Sequence, residues 1–194
     1  MEHAVRTPET IIYGGAFNPP TLAHQAILQA CVEYVSPQGG EVWLLPSASR
    51  VDKYIGVSIE HRIELCRALA QDVVAQDVQI RINTSELDRG VATETYDTLQ
   101  ELTAQYPDKE FRWVFGSDSV ATMAQWHEGK WMSEHLRLLV VERPGHPLSQ
   151  LGKNAVELPV VSSDLSSTEL RRRMRDGEPY GDMVGEAVRK VLAE

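Results

Sequence analysis

Apolar runs that halt at glycine or proline, each followed by apolar positions at helical spacing, restrict this chain more than any other feature. From Thr10 the run Ile11-Ile12-Tyr13 stops at Gly14-Gly15, and beyond Pro19-Pro20 the residues Leu22, Ala26, Ile27, Ala30, Cys31 and Tyr34 recur on one helical stripe. That reads as strand, loop and amphipathic helix. Val42-Trp43-Leu44-Leu45 ends at Pro46 as a second strand, and Ile59, Ile63, Cys66, Ala70 and Val73 mark a second helix capped by Ser58. Val78, Ile80 and Ile82 alternate as a half-buried strand; Tyr96, Leu99, Leu102 and Tyr106 predict a helix. Phe111 to Phe115 form a fourth strand ending at Gly116, and Leu138 to Val141 a fifth. Strands alternating with helices predict a doubly wound α/β fold. Its mostly parallel sheet has helices on both faces and takes ligands at the carboxyl ends of the strands, near the switch point. Ser166-Ser167-Thr168-Glu169 reads as a capping box ahead of Leu170 and Met174, and a last helix runs roughly from Met183 to Leu192.

The 194 residues suit one domain spanning 1–194, with a C-terminal helical portion from about 162. No linker rich in Pro, Gly or Ser divides the chain, and Arg143 to Asn154, the least patterned stretch, reads as an exposed loop. The 28 acidic against 19 basic side chains leave a charge of −9, a field that repels polyanions, so no nucleic-acid partner is expected. No apolar run approaches the roughly 18 residues of a membrane span, and none follows a positive start, which argues against membrane and signal peptide. Cys31 and Cys66 each fall on the apolar stripe of a predicted helix, as buried free thiols do, which fits a reducing cytoplasm.

The segment Gly14-Gly15-Ala16-Phe17-Asn18-Pro19-Pro20-Thr21-Leu22-Ala23-His24 delivers Thr21 and His24 to a helix start. Free N–H groups and a partial positive charge favour phosphate there, and two glycines let a ligand approach the backbone. It is neither a Walker A sequence nor GxGxxG. Taken singly, Thr21 is as readily a helix cap and His24 a satisfied surface histidine. As a unit, the segment resembles the signature of the nucleotidylyltransferase superfamily: a glycine pair, Phe, Asx, Pro, then His or Thr, any residue, Gly and His. Thr21 stands where the nicotinate mononucleotide branch usually has its first histidine, and Ala23 where glycine is usual. Ser166-Ser167-Thr168-Glu169-Leu170-Arg171 resembles the second superfamily motif, Ser-Ser-Thr-x-hydrophobic-Arg. Alone it is a capping box leading into the basic run Arg171-Arg172-Arg173-Met174-Arg175; paired with the first motif it reads as a triphosphate site.

Intermediate landmarks resemble the nicotinate/nicotinamide mononucleotide adenylyltransferases, over nearly the whole chain from Ile11 to Leu192. These are Pro46-Ser47 followed by Lys53, with Asp52 where the family has histidine; Ser58 with Glu60-His61-Arg62, mainly structural; Thr95-Tyr96-Asp97-Thr98-Leu99; and Phe115-Gly116-Ser117-Asp118. Trp126, eight residues after Asp118, holds the position of a Trp that stacks on the pyridine ring. The family's second Trp comes three residues later, whereas Trp131 comes five later. His3, His127, His135 and His146 show no ligand spacing and read as surface residues.

The resemblance implies a Rossmann-like nucleotidylyltransferase fold and attack of a mononucleotide's 5′-phosphate on the α-phosphorus of ATP. It assigns ATP contacts to Gly14, Gly15, Ala16, Phe17, Thr21, His24, Gly116, Asp118, Ser166, Ser167, Thr168 and Arg171. Mononucleotide contacts fall to Phe17, Asn18, Lys53, Thr95 and Trp126, and catalysis to His24, Lys53 and Arg171. Mg²⁺ is expected on the ATP phosphates, with no dedicated protein metal site. Nicotinate mononucleotide is the first expected acceptor and nicotinamide mononucleotide the second. Glu94, where acid-using members carry an aromatic, would penalise the acid if it lined the pocket and not if it faced solvent. A cytidylyltransferase or phosphopantetheine adenylyltransferase, mildly favoured by Thr21, is the alternative enzyme, with Trp126 and the Thr95 segment against it. A non-catalytic nucleotide-binding protein on the same fold is the other. Monomer and homo-oligomer are both left open.

Overall fold

Side chains along a strand point alternately to opposite faces, and that alternation divides the core of this protein in two. The computed structural model describes residues 8–48, 57–91, 93–148, 152–160, 163 and 165–193. In β1 (Glu9–Gly15), Ile11 and Tyr13 join one buried apolar cluster and Ile12 the other. β2 (Glu41–Pro46) divides likewise, Val42 and Leu44 against Trp43 and Leu45. The remaining strands are β3 (Gln79–Ile82), β4 (Glu110–Gly116), β5 (Leu138–Val141) and β6 (Ala155–Glu157). They lie in the order β3-β2-β1-β4-β5-β6, and every neighbouring pair is parallel.

Between and after them run α1 (Leu22–Val35), α2 (Ile59–Gln71), α3 (Ser85–Arg89), α4 (Thr95–Gln105), α5 (Ser117–Thr122), α6 (Gly129–His135), α7 (Ser167–Asp176) and α8 (Glu186–Leu192). α1, α2, α7 and α8 contribute Leu28, Leu65, Leu170 and Val188 to the cluster on one face, while α4 and α6 bring Leu102 and Met132 to the other. The doubly wound α/β expectation holds, with the described sheet wholly parallel. The chain winds outward from β1 through β2 to β3 and then returns to place β4 on the other side of β1. The carboxyl ends of β1 and β4, Gly14-Gly15 and Gly116, therefore flank the switch point, where such sheets bind ligands.

β6, α3, α5 and α6 are three to seven residues long with neither a run of three apolar residues nor an apolar alternation, so the sequence reading does not include them. The last helix starts at Glu186 and not near Met183, because its cap is tertiary. The Asp72 carboxylate, at the end of α2, accepts the backbone N–H groups of Ala187 (2.8 Å) and Val188 (3.1 Å). A Cβ on Gly185 would fall 2.1 Å from Asp72 Oδ2, so glycine is needed at that close approach. Met183 is buried before the helix and its carbonyl accepts the Leu22 N–H at 2.8 Å, tying the C-terminal portion to the start of α1. Cys31 and Cys66 are buried free thiols, as expected; burial pushes the Cys66 thiol up to about 12 and that of Cys31 higher. Among the described residues no helix is long and apolar enough to cross a membrane.

Candidate active site

The loop leaving β1 is shaped by a buried phenylalanine. Phe17 has φ 45°, is fully buried, and meets Tyr13 edge to face at 5.3 Å and His24 at 5.6 Å between ring centroids. A Cβ on Gly15 would lie 3.1 Å from the Phe17 ring, whereas one on Gly14 would meet nothing nearer than Leu45 O at 3.9 Å. The second glycine thus makes room for Phe17, and the first leaves an exposed stretch of backbone. Ala16 is exposed beside it.

Thr21 is the N-cap of α1, and its backbone N–H donates to His24 Nδ1 at 3.1 Å. The Thr21 hydroxyl oxygen lies 2.9 Å from the same nitrogen. Because an amide N–H only donates, Nδ1 is the acceptor and the neutral ring carries its proton on Nε2. Burial, and secondarily the positive charge of Arg143, lowers the His24 pKa to about 4. His24 is therefore a neutral N–H donor at neutral pH. Two expected contacts change character: the Phe17 ring is buried and Thr21 is 1% exposed with its hydroxyl against His24, so both support the histidine from behind.

An NMR titration of the ligand-free protein should place the His24 midpoint near 4, against about 6.5 for an unstructured histidine. The unfolded chain takes up this proton first as pH falls. The corresponding stability is thus complete above about 6.5 and erodes from there down through the folded value. A midpoint at or above 6.5 would remove the neutral-donor assignment.

The second motif docks onto the first. Ser166 caps α7, its Oγ accepting the Glu169 N–H at 3.2 Å. The Ser167 hydroxyl donates to Pro19 O at 2.8 Å, and Arg171 donates from Nη1 to Asn18 O at 2.6 Å and from Nη2 to Thr168 Oγ1 at 3.2 Å. The basic run then divides by function. Arg172 and Arg173 are paired with Glu169, Asp176, Glu178 and Asp182, whereas Arg171 makes no ion pair with a described residue. Its charge is left over at the mouth of the loop, next to the N-terminus of α7.

On the other side of the switch point, Asp118 folds back over Gly116. A Cβ on Gly116 would lie 2.4 Å from Asp118 Oδ1 and 3.1 Å from Cγ and Nε of Arg143. The Arg143 N–H donates to Ser117 Oγ at 2.9 Å, and its guanidinium is near enough to oppose the burial-driven rise of the Tyr13 pKa and to add to the lowering of that of His24. Arg143 was not among the expected site residues, since it opens the stretch read as a patternless loop. The available signal was its place two residues beyond β5, at the carboxyl end of the strand beside β4.

Arg62, 2% exposed, ties the loops together from below: it donates from Nε and Nη2 to Ala16 O (3.2 and 2.9 Å) and from Nη2 to Ser47 O (2.6 Å). Lys53 and Asp52 lie outside the described residues. Thr95 opens α4 half-buried, and exposed Glu94 is its N-cap. Half-buried Trp126 packs edge to face on Phe115 at 5.7 Å. Trp131 stacks on His135 at 4.8 Å and meets Tyr96 edge-on, which in turn meets His127; both histidines are exposed, as expected. No group of three or more His, Cys, Asp or Glu able to hold a metal occurs among the described residues.

The cytidylyltransferase-like family profile matches residues 12–173. The probable nicotinate-nucleotide adenylyltransferase of Anaeromyxobacter dehalogenans is 34% identical over 188 residues, covering 96% of this chain and 94% of that protein. Its counterpart in Salinibacter ruber is 32% identical over 191 residues, covering 93% of each. Among solved structures, Plasmodium falciparum nicotinic acid mononucleotide adenylyltransferase complexed with NaAD superposes with a TM-score of 0.77 at 20% identity, covering 95% of this chain and 94% of that one.

Proposed function

The chain belongs to the cytidylyltransferase-like family and, within it, to the nicotinate-nucleotide adenylyltransferases, and from that premise we propose how its site performs adenylyl transfer from ATP to nicotinate mononucleotide. The product is the dinucleotide, with release of pyrophosphate, in NAD biosynthesis. The observation that carries the reading is the docking of α7 on the α1 loop through Ser167 and Arg171, which brings two helix N-termini to the switch point beside His24 and Arg143.

The acceptor phosphate has its second pKa near about 6 and is already nucleophilic at neutral pH, so no general base is needed. One of its oxygens attacks the α-phosphorus of ATP, the bond from that phosphorus to the bridging oxygen breaks, and pyrophosphate leaves. His24 donates its Nε2–H to the α-phosphate as charge develops, and Arg143 adds a fixed positive charge beside it. Arg171, Thr168 and the N–H groups opening α7 hold the β- and γ-phosphates; Ser166 and Ser167 shape that turn. Asp118 takes ribose hydroxyls, Gly14, Gly15, Ala16 and Gly116 let the nucleotide lie close to the backbone, and Asn18, Lys53, Thr95 and Trp126 take the acceptor. Mg²⁺ arrives on the ATP phosphates and supplies charge neutralisation there. The chain is read as one catalytic domain acting in the cytoplasm.

Pyrophosphate release from MgATP with nicotinate mononucleotide, nicotinamide mononucleotide and phosphopantetheine as acceptors tests this reading. Release with the acid first and the amide second is expected; turnover only with phosphopantetheine, or only from CTP, overturns it. Exposed Glu94 sits in water, whose high dielectric weakens the field of its charge. Glu94→Gln should therefore change the acid-to-amide ratio of kcat/KM by less than about threefold, because an exposed charge interacts across high dielectric. A tenfold gain for the acid would put Glu94 in the pocket.

A further inference from the structure

A carboxylate is seldom buried without a task, and the chemistry above has no use for Glu86. It sits in α3, 9% exposed. Arg89 Nη1 donates to Thr98 Oγ1 at 3.2 Å, so the single hydroxyl proton of Thr98 is free to go to Glu86 Oε1, 2.8 Å away. Thr98 is completely buried, in the first turn of α4 with Thr95. The Ala48 backbone N–H faces the same carboxylate closely enough to favour its charged form against burial, as do the nearby charges of Arg89 and Arg62. Ala48 follows Ser47, whose N–H donates to Gly15 O at 2.9 Å and whose carbonyl is held by Arg62. One buried side chain thus bridges the loop leaving β2 and the turn that opens α4.

We propose that Glu86 is a positioning residue for the acceptor subsite: bonded to Thr98 and faced by the Ala48 N–H, it holds Ser47-Ala48 at the end of β2 and Thr95 at the separation a mononucleotide requires. This role rests on the adenylyltransferase reading. The ATP side shares the Arg62 and Ser47 bonds with the loop after β2 but also has fastenings of its own, Ser167 to Pro19, Arg171 to Asn18 and Leu22 to Met183, none of which involves Glu86. Loosening the bridge should therefore weaken one substrate and spare the other.

Steady-state kinetics on the full chain, with ATP and nicotinate mononucleotide varied separately, tests the proposal. Glu86→Gln is expected to raise KM for the mononucleotide about tenfold while kcat and KM for ATP stay within about twofold, since the change is confined to ground-state positioning of one substrate. Thr98→Val, which removes only the hydroxyl, should move the same constant in the same direction. The double variant should fall well short of the sum of the two single effects, because both weaken the one Glu86–Thr98 bond. An equal rise in both KM values, a loss confined to kcat, or additive effects would each leave Glu86 as support for the fold and overturn the role. Should Glu86→Gln not fold, Thr98→Val decides by the same split. A wild-type chain inactive on every pyridine mononucleotide overturns the functional reading, whereas an active one with unshifted variants overturns the role of Glu86 alone.

Discussion

His24→Ala should lower kcat about 10²–10³-fold with a much smaller change in KM for either substrate, the loss typical when one preorganised donor to a developing oxyanion is removed. The preorganisation is visible in what holds the ring. Thr21 N–H and hydroxyl occupy Nδ1, Phe17 packs edge to face against the ring, and the proton is left on Nε2. A neutral donor binds the ground-state phosphate weakly, and its bond strengthens as negative charge accumulates in transfer, which is why the effect belongs in kcat. Steady-state pyrophosphate release checks it. Near-normal kcat would remove His24 from the chemistry, and a rise confined to KM would make it a binding residue only.

Gly116→Ala is expected to lower kcat/KM about 10²-fold, the scale of a 1 Å misplacement at a reacting site. The backbone there, φ −72° and ψ 153°, suits any residue, so no conformational strain is involved. Space is the issue. The new Cβ would sit 2.4 Å from Asp118 Oδ1 and 3.1 Å from Arg143 Cγ and Nε. Both are outer parts of side chains that can swing away without disturbing β4, so the fold survives while two site groups are displaced. The melting temperature should move by no more than about 4 °C, corresponding to roughly 1 kcal/mol in a chain of this size. Retained activity would mean that the folded-back positions of Asp118 and Arg143 are not those used with substrate. Unfolding would mean that the glycine serves the fold.

The His24 prediction joins residues within seven positions of one another and the Gly116 prediction reaches Arg143 beyond β5, and the sequence was legible to different depths at those places. The strongly patterned elements were readable because apolar patterning is a local property: the apolar runs of β1, β2 and β5 and the stripes of α1, α2 and α4 need only their own neighbours to declare a buried face. Motifs with fixed spacing were readable for the same reason, and Gly14 to His24 and Ser166 to Arg171 appear where expected. β6, α3, α5 and α6 lack an apolar run like those of β1, β2 and β5 and are too short for a helical stripe, so they carry no period.

Sequence alone therefore determined the doubly wound sheet, its two apolar faces, the free buried thiols and the two motif segments that meet at the switch point, since each is written in residues near one another in the chain. Tertiary structure alone decided which side chains of those motifs remain available. Thr21 and Phe17 are absorbed in holding His24, Ser167 in docking α7, and Arg172 and Arg173 in ion pairs, leaving Arg171 without an ion pair among the described residues. It also brought in Arg143 and Glu86, whose partners lie on other elements, and Asp72, which caps a helix 115 residues away. Hydrogen bonds and buried charges take their meaning from proximity in space, and only the closing of the sheet brings such partners together.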